Sequence, residues 1–176
     1  MIPTLDGVHH VKLPVADLDR SIDWYASRLG YRVVLEFQQR GVRTGVSMAH
    51  PDGGPDLGLV EAPEKSRAAA GFDYFSIGVP DRARLVALAD HLTALGETHA
   101  GVQFATLGWI LPMLHDPDGH EVRFYTIESH TELEPGSVLA VDDVVASSQA
   151  AELVWLTERG LPPVSGSSAH VDQTPK

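Results

Sequence analysis

The feature that most constrains what this chain can fold into is a pattern that runs twice. Residues 8–15 alternate, with Val11, Leu13 and Val15 on one face and His10, Lys12 and Pro14 on the other, the two-residue period of a strand. Asp17 then stands where a helix needs an N-cap, Leu18, Ile22, Tyr25 and Leu29 recur at helical spacing, and Gly30 closes the helix. Strand-like runs follow at 31–37, 42–49 and 57–61, the last two separated by the turn Pro51-Asp52-Gly53-Gly54-Pro55. After a connector at 62–71 the same order returns. An alternating run at 72–79 leads to Asp81 as N-cap, then to a stripe of Leu85, Leu88, Ala89, Leu92 and Leu95, with Gly96 as stop. Strand-like runs at 97–105, 108–114 and 119–127 complete it. Laying Val15 over Val79 gives a period of 64 residues. The sequence therefore predicts an α+β domain over 1–128, built from two tandem β-α-β-β-β modules (7–61 and 72–127).

The second module closes on Asp116-Pro117-Asp118-Gly119, which is hairpin chemistry. Proline presets φ, aspartates bond their own backbone, and glycine supplies φ > 0. In the strand that follows, Val122 and Phe124 point one way while Glu121, Arg123 and Tyr125 point the other. His120, beside the hairpin glycine, is expected to face solvent, and His9 to alternate away from His10 toward the helix layer. Beyond the domain, 129–176 reads as an extension with one helix at about 141–159, whose Val144, Val145, Ala151, Val154 and Trp155 could dock by one face. The polar end from Ser165 is expected to be mobile.

Charge removes whole classes of function. The formal net charge is −11 and no Lys/Arg-rich run occurs, so neither nucleic acid nor an anionic membrane surface is an expected partner. No apolar run approaches the ~20 residues that span a bilayer. There is no cysteine, hence no disulfide, thiolate nucleophile or thiolate metal site. With no basic-then-apolar leader pattern at the N-terminus, a cytoplasmic protein is expected.

The opening His10-Val-Lys-Leu-Pro-Val15-Ala-Asp17-Leu18, with Ser21-Ile22, Trp24-Tyr25 and Leu29-Gly30-Tyr31, resembles that of the vicinal-oxygen-chelate superfamily. That group contains the glyoxalases, bleomycin-resistance proteins and extradiol dioxygenases. Asp116-Pro117-Asp118-Gly119 followed by a strand resembles its closing signature. The resemblance implies a curved eight-stranded mixed sheet forming a half-barrel cleft, commonly completed in a homodimer. It also implies up to four metal ligands at fixed strand positions, which fall here on His10, Gly58, Tyr74 and Arg123. Only His10 matches. One charge pair at ~4 Å and an effective dielectric of ~20 is worth ~4 kcal/mol, so replacing a carboxylate by guanidinium beside a dication swings the interaction by roughly 16 kcal/mol. A whole structural zinc site is worth only ~10–16 kcal/mol. No cofactor is expected on this ground; iron, zinc, nickel or manganese on shifted ligands is the alternative.

If the cleft forms, within one chain or across a dimer, His10, Lys12, Tyr74, Glu121, Arg123 and Tyr125 face one space, walled by Val60, Trp109 and Met113. Arg123 offers a planar fork to a carboxylate or enolate, His10 a proton acceptor near neutrality, and Tyr74 a donor to an oxyanion. The first functional expectation is bleomycin-resistance-like sequestration of an anionic or aromatic small molecule. The alternatives are a metal-independent isomerase, lyase or cyclase using His10, Arg123 and Tyr74, and a metal-dependent glyoxalase or dioxygenase with shifted ligands.

Overall fold

The computed structural model describes residues 7–130, together with positions 136 and 157. The expected helix at 141–159 and the polar end lie outside the described residues, apart from position 157. Module one comprises β1 (His10–Val15), α1 (Leu18–Leu29), β2 (Arg32–Gln39), β3 (Val42–Ala49) and β4 (Asp56–Glu61). The connector carries a short helix, α2 (Pro63–Ala69). Module two comprises β5 (Ser76–Val79), α3 (Arg82–Ala94), β6 (Gln103–Phe104), β7 (Trp109–His115) and β8 (Glu121–Thr126). The β-α-β-β-β order holds in both.

The eight strands form two four-stranded mixed sheets, ordered β1-β4-β3-β2 and β5-β8-β7-β6. In each, the first strand pairs in parallel with the last and the remaining neighbours are antiparallel. Local chemistry sets the helix ends. Asp17 and Asp81 accept from the backbone N–H of Arg20 and Arg84 as N-caps, and Gly30, at φ 77°, takes the left-handed cap that a side chain would resist. The alternating apolar residues face the helices. Leu13, Val15, Leu57 and Leu59 pack with Trp24 and Tyr25 in module one, and Leu111, Leu114, Val122 and Phe124 with Leu85 and Leu92 in module two.

Module two departs from its twin at two strands. The stretch expected as strand at 97–105 pairs only over Gln103–Phe104. The run at 72–79 becomes strand only from Ser76. In β7 the pairing slips: Leu111 faces Phe124 and Leu114 faces Val122, so one extra residue is accommodated around Pro112 and Met113. Proline has no N–H to give the ladder, and Met113 sits at φ 67°. This bulge reverses the alternation along β7, with consequences for the site.

The modules are fastened by the Asp-Pro-Asp-Gly hairpin. The Asp118 side chain is 2% exposed and accepts from Ala16 N–H (2.9 Å), Ser21 Oγ (3.0 Å), Ser66 Oγ (2.7 Å) and Arg20 Nη2 (3.0 Å). Burial alone would push its carboxyl up, but the hydrogen bonds from Ser66, Ala16 and Ser21 and the Arg20 charge outweigh it and hold it below the usual range. Beside it, Asp116 accepts from Tyr25 Oη (3.0 Å) and from His120 Nδ1 (2.9 Å). His120 is therefore 1% exposed rather than solvent-facing, because this turn seats against α1. Burial and the Asp116 charge push the Tyr25 phenol up, so it stays a donor.

Candidate functional site

The face of module one's sheet away from the helices holds a cavity of about 530 Å³, in the range of small-molecule sites. The parallel register places His10 opposite Asp56, Lys12 opposite Gly58 and Pro14 opposite Val60. His10, Lys12, Gly58 and Val60 line the cavity, and Leu35 and Phe37 of β2 supply apolar wall. A Cβ built at Gly58 would meet His10 Cδ2 at 3.8 Å and backbone no nearer than 3.6 Å, so bare glycine here leaves room without being forced by crowding. Gly45 differs: its Cβ would meet Leu59 O at 2.6 Å.

His9 also lines this cavity instead of packing toward the helices. The strand begins at His10, so the alternation that would have turned His9 away does not reach it. The Nδ1 atoms of His9 and His10 are 3.0 Å apart, their rings edge-on at 5.3 Å. Two imidazoles and the Lys12 ammonium thus gather on one strand end, while the Asp56 carboxylate accepts from Ser47 Oγ at 3.1 Å. Ser47 and Asp56 line the cavity too; nothing in their own segment marked them, and only the strand register brings them there.

Module two presents a different face. Arg123 is held by Asp73 (Nη1–Oδ2 3.0 Å) and by Glu121 (Nη2–Oε1 3.0 Å, Nε–Oε1 3.2 Å). Glu121 Oε1 also accepts the Met113 N–H at 3.1 Å, satisfying a donor of the bulge. Burial pushes the Glu121 carboxyl up, but the Met113 and Arg123 hydrogen bonds outweigh it and keep it below the ordinary value. The same pairs raise Arg123 against the opposing effect of burial. The fork expected for a ligand is engaged by two carboxylates of its own module. Asp73 drew no reading in the sequence; it lies in the run at 72–79, of which only Ser76–Val79 becomes strand.

Tyr74 donates to Ala69 O at 2.9 Å, and its ring packs against Phe72 and His120. No hydrogen bond or ion pair among the described residues joins His10, Tyr74 and Arg123. Tyr125 is half-buried and opposite Ile110 in the register. The walls expected from β7 are corrected by the bulge. Trp109 is fully buried against Phe104 and His130, on the helix side, whereas Met113 is exposed. Ile110, half-buried beside Tyr125, takes the trough-facing place assigned to Trp109.

The residues do not fit the metal site that the fold relatives imply. Gly58 offers no ligand, Tyr74 is turned to a backbone carbonyl, and Arg123 brings a fixed cation. No group of three His, Asp or Glu side chains arranged to hold a metal occurs among the described residues.

The profile of the Glyoxalase/Bleomycin resistance protein/Dioxygenase superfamily matches residues 7–124, so the chain belongs to this superfamily. No curated protein sequence matches it. Among solved structures it is similar to a glyoxylase/bleomycin resistance protein/dioxygenase domain from Frankia sp. EAN1pec. That likeness has 25% identity and a TM-score of 0.57, covering 70% of this chain and 98% of the other. TnmS3, an antibiotic binding protein from Streptomyces sp. CB03234, aligns at 18% identity and TM-score 0.59 over 71% and 98% of the two chains. A lactoylglutathione lyase from Agrobacterium tumefaciens aligns at 21% and 0.57 over 71% and 96%. The last two likenesses are of fold alone; they span a binding protein and an enzyme.

Proposed function

We propose that this protein binds an anionic, largely apolar small molecule in the module-one cavity, without a metal and without transforming it. The observation that carries the reading is the contrast in charge status between the two sheet faces. His9, His10 and Lys12 border a largely apolar space whose one lining carboxylate, Asp56, accepts from Ser47, while Arg123 is neutralised by Asp73 and Glu121. A ligand carboxylate, sulfonate or phenolate meets Lys12 as its charge partner, and its body covers Leu35, Phe37 and Val60. Chemistry would need a base with an oriented electrophile; His10 faces His9, and the two anion stabilisers expected for it are engaged elsewhere.

The cavity is open on one side, and β2 supplies a reason. Every residue of that edge strand is exposed, including Val33, Val34, Leu35 and Phe37. An eight-residue edge strand that leaves four apolar side chains to water invites pairing, so a second copy covering it, and closing the cavity, forms part of this proposal. Mass spectrometry of ligand recovered from the protein tests the reading: one anionic aromatic compound per chain, returned unchanged, supports it. Conversion of that compound by the purified protein overturns it. Sedimentation tests the dimer separately.

A further inference from the structure

The helix side of the sheets carries a second cleft that the proposal above does not use. It lies between the modules, where β1 pairs only with β4 and β5 only with β8. Two connected lobes of about 460 and 240 Å³ share Tyr31, His50, Asp52, Ile77, Gly78 and Pro80. Val11, Leu57 and Phe75 give the larger lobe an apolar wall, and Leu88 of α3 closes the smaller.

The duplication explains why this space is open. In each module a turn joins the third strand to the fourth. Module two's turn reaches the other module: Asp116 and Asp118 seat on α1 and accept from Tyr25, Ser21 and Arg20. The corresponding turn of module one, between His50 and Pro55, does not reach α3 in the same way, and its Asp52 side chain is 92% exposed. The seat filled on one side is a crevice on the other.

Two donors line it with no acceptor among the described residues. Tyr31 is 7% exposed, lines both lobes, and its phenol makes no hydrogen bond to a described residue. Burial pushes that phenol up, so it stays protonated at neutral pH and can only profit from an acceptor. His50 Nδ1 accepts the Asp52 backbone N–H at 3.1 Å, which puts the proton of the neutral ring on Nε2. The two rings meet edge-on, 5.3 Å between centroids. Tyr31 and His50 both line this crevice, and neither Tyr31 Oη nor His50 Nε2 has an acceptor among the described residues, so an acceptor brought by a guest can take both donors in place of water. Asp52 and Asp56 line the larger lobe, and Arg28, which lines the smaller, is paired to Glu97 at 2.8 Å, so an anion meets no unpaired arginine or lysine among the described lining residues. The acceptor is therefore neutral.

We propose that the inter-module crevice is a second binding site, for an uncharged apolar molecule whose carbonyl oxygen accepts from Tyr31 Oη and His50 Nε2. It lies on the opposite side of the sheet from the anion cavity and stands independently of it.

The test uses the full chain and the neutral aryl ketone prodan, whose emission reports both polarity and hydrogen bonding. Saturable binding at one site per chain, with blue-shifted emission, is expected. Tyr31→Phe removes one hydroxyl and weakens binding by roughly three- to tenfold, and His50→Leu does so to a similar extent. Excess anilinonaphthalene sulfonate, an anionic probe for the other cavity, leaves prodan in place. Circular dichroism confirms that each variant is folded; if Tyr31→Phe is not, His50→Leu decides alone. Absence of saturable binding, affinity unchanged in the folded variants, or displacement by the sulfonate overturns the proposal.

Discussion

The two modules share one plan and differ in what each does with its polar groups. Module one leaves them available: three basic side chains edge an open cavity, Gly58 adds no bulk, and β2 runs eight exposed residues along the sheet margin. Module two consumes its own. Arg123 is paired twice, Glu121 satisfies a bulge, β6 shrinks to two residues, and the hairpin aspartates bond the other module. On the proposed reading, duplicating the scaffold relieves one copy of binding and lets it serve as structure. That division of labour gives a series of tests, from the largest expected effect to the smallest.

Trp109→Ala breaks the comparison hardest. If Trp109 is core of the structural module, truncation costs about 3–5 kcal/mol in urea or thermal unfolding. A mild loss of stability with a large loss of ligand affinity would instead return Trp109 to a cavity wall. Next is Asp118→Ala, which strands Ser21, Ser66 and the Ala16 N–H without their buried acceptor. A loss of about 3 kcal/mol is expected, lowering the melting temperature by roughly 6–12 °C.

Acid addresses the same knot. Asp118 and Glu121 both have folded-state pKa values below their unfolded ones. Their contribution is present above the unfolded values and is lost as pH falls through the folded ones. The melting temperature should stay level down to about pH 5 and decline below about pH 4. Asp118→Asn should flatten part of that decline; an unchanged acid profile would remove Asp118 from the account.

Lys12→Ala sharpens the other side of the comparison. Binding of anilinonaphthalene sulfonate should weaken by about five- to tenfold, with stability changed by less than about 0.5 kcal/mol, because Lys12 is exposed and carries no fold contact. Smallest of all is Asp52→Ala, in the turn of module one that seats on nothing. Less than about 0.5 kcal/mol is expected, against the large effect of its module-two counterpart.

Much of this scaffold was legible because it rests on local rules. Asp17 and Asp81 cap helices, Gly30 stops one, and Asp-Pro-Asp-Gly turns a hairpin, each by chemistry contained in a few consecutive residues. The site was less legible because its errors came from non-local events. A bulge at Pro112–Met113 reverses the parity that placed Trp109 on the trough. The late starts of β1 and β5 release His9 and Tyr74 from the alternation read for them. His120 looked like a surface turn residue until the hairpin met α1. Arg123 and Glu121 were legible as neighbours on one strand face; Asp73, the second partner, is brought to Arg123 only by the fold.

The central claim is that module one holds an anion by its own basic and apolar groups, with no divalent ion mediating. It is tested most directly by titrating the chelator-treated protein with anilinonaphthalene sulfonate, then repeating the titration after incubation with zinc, nickel, manganese or ferrous ion. The account predicts one anion per chain at the same affinity in every case, with no stoichiometric metal retained. Binding that appears only after a metal is restored, or one tightly held ion per chain lost on His10→Ala, would contradict it.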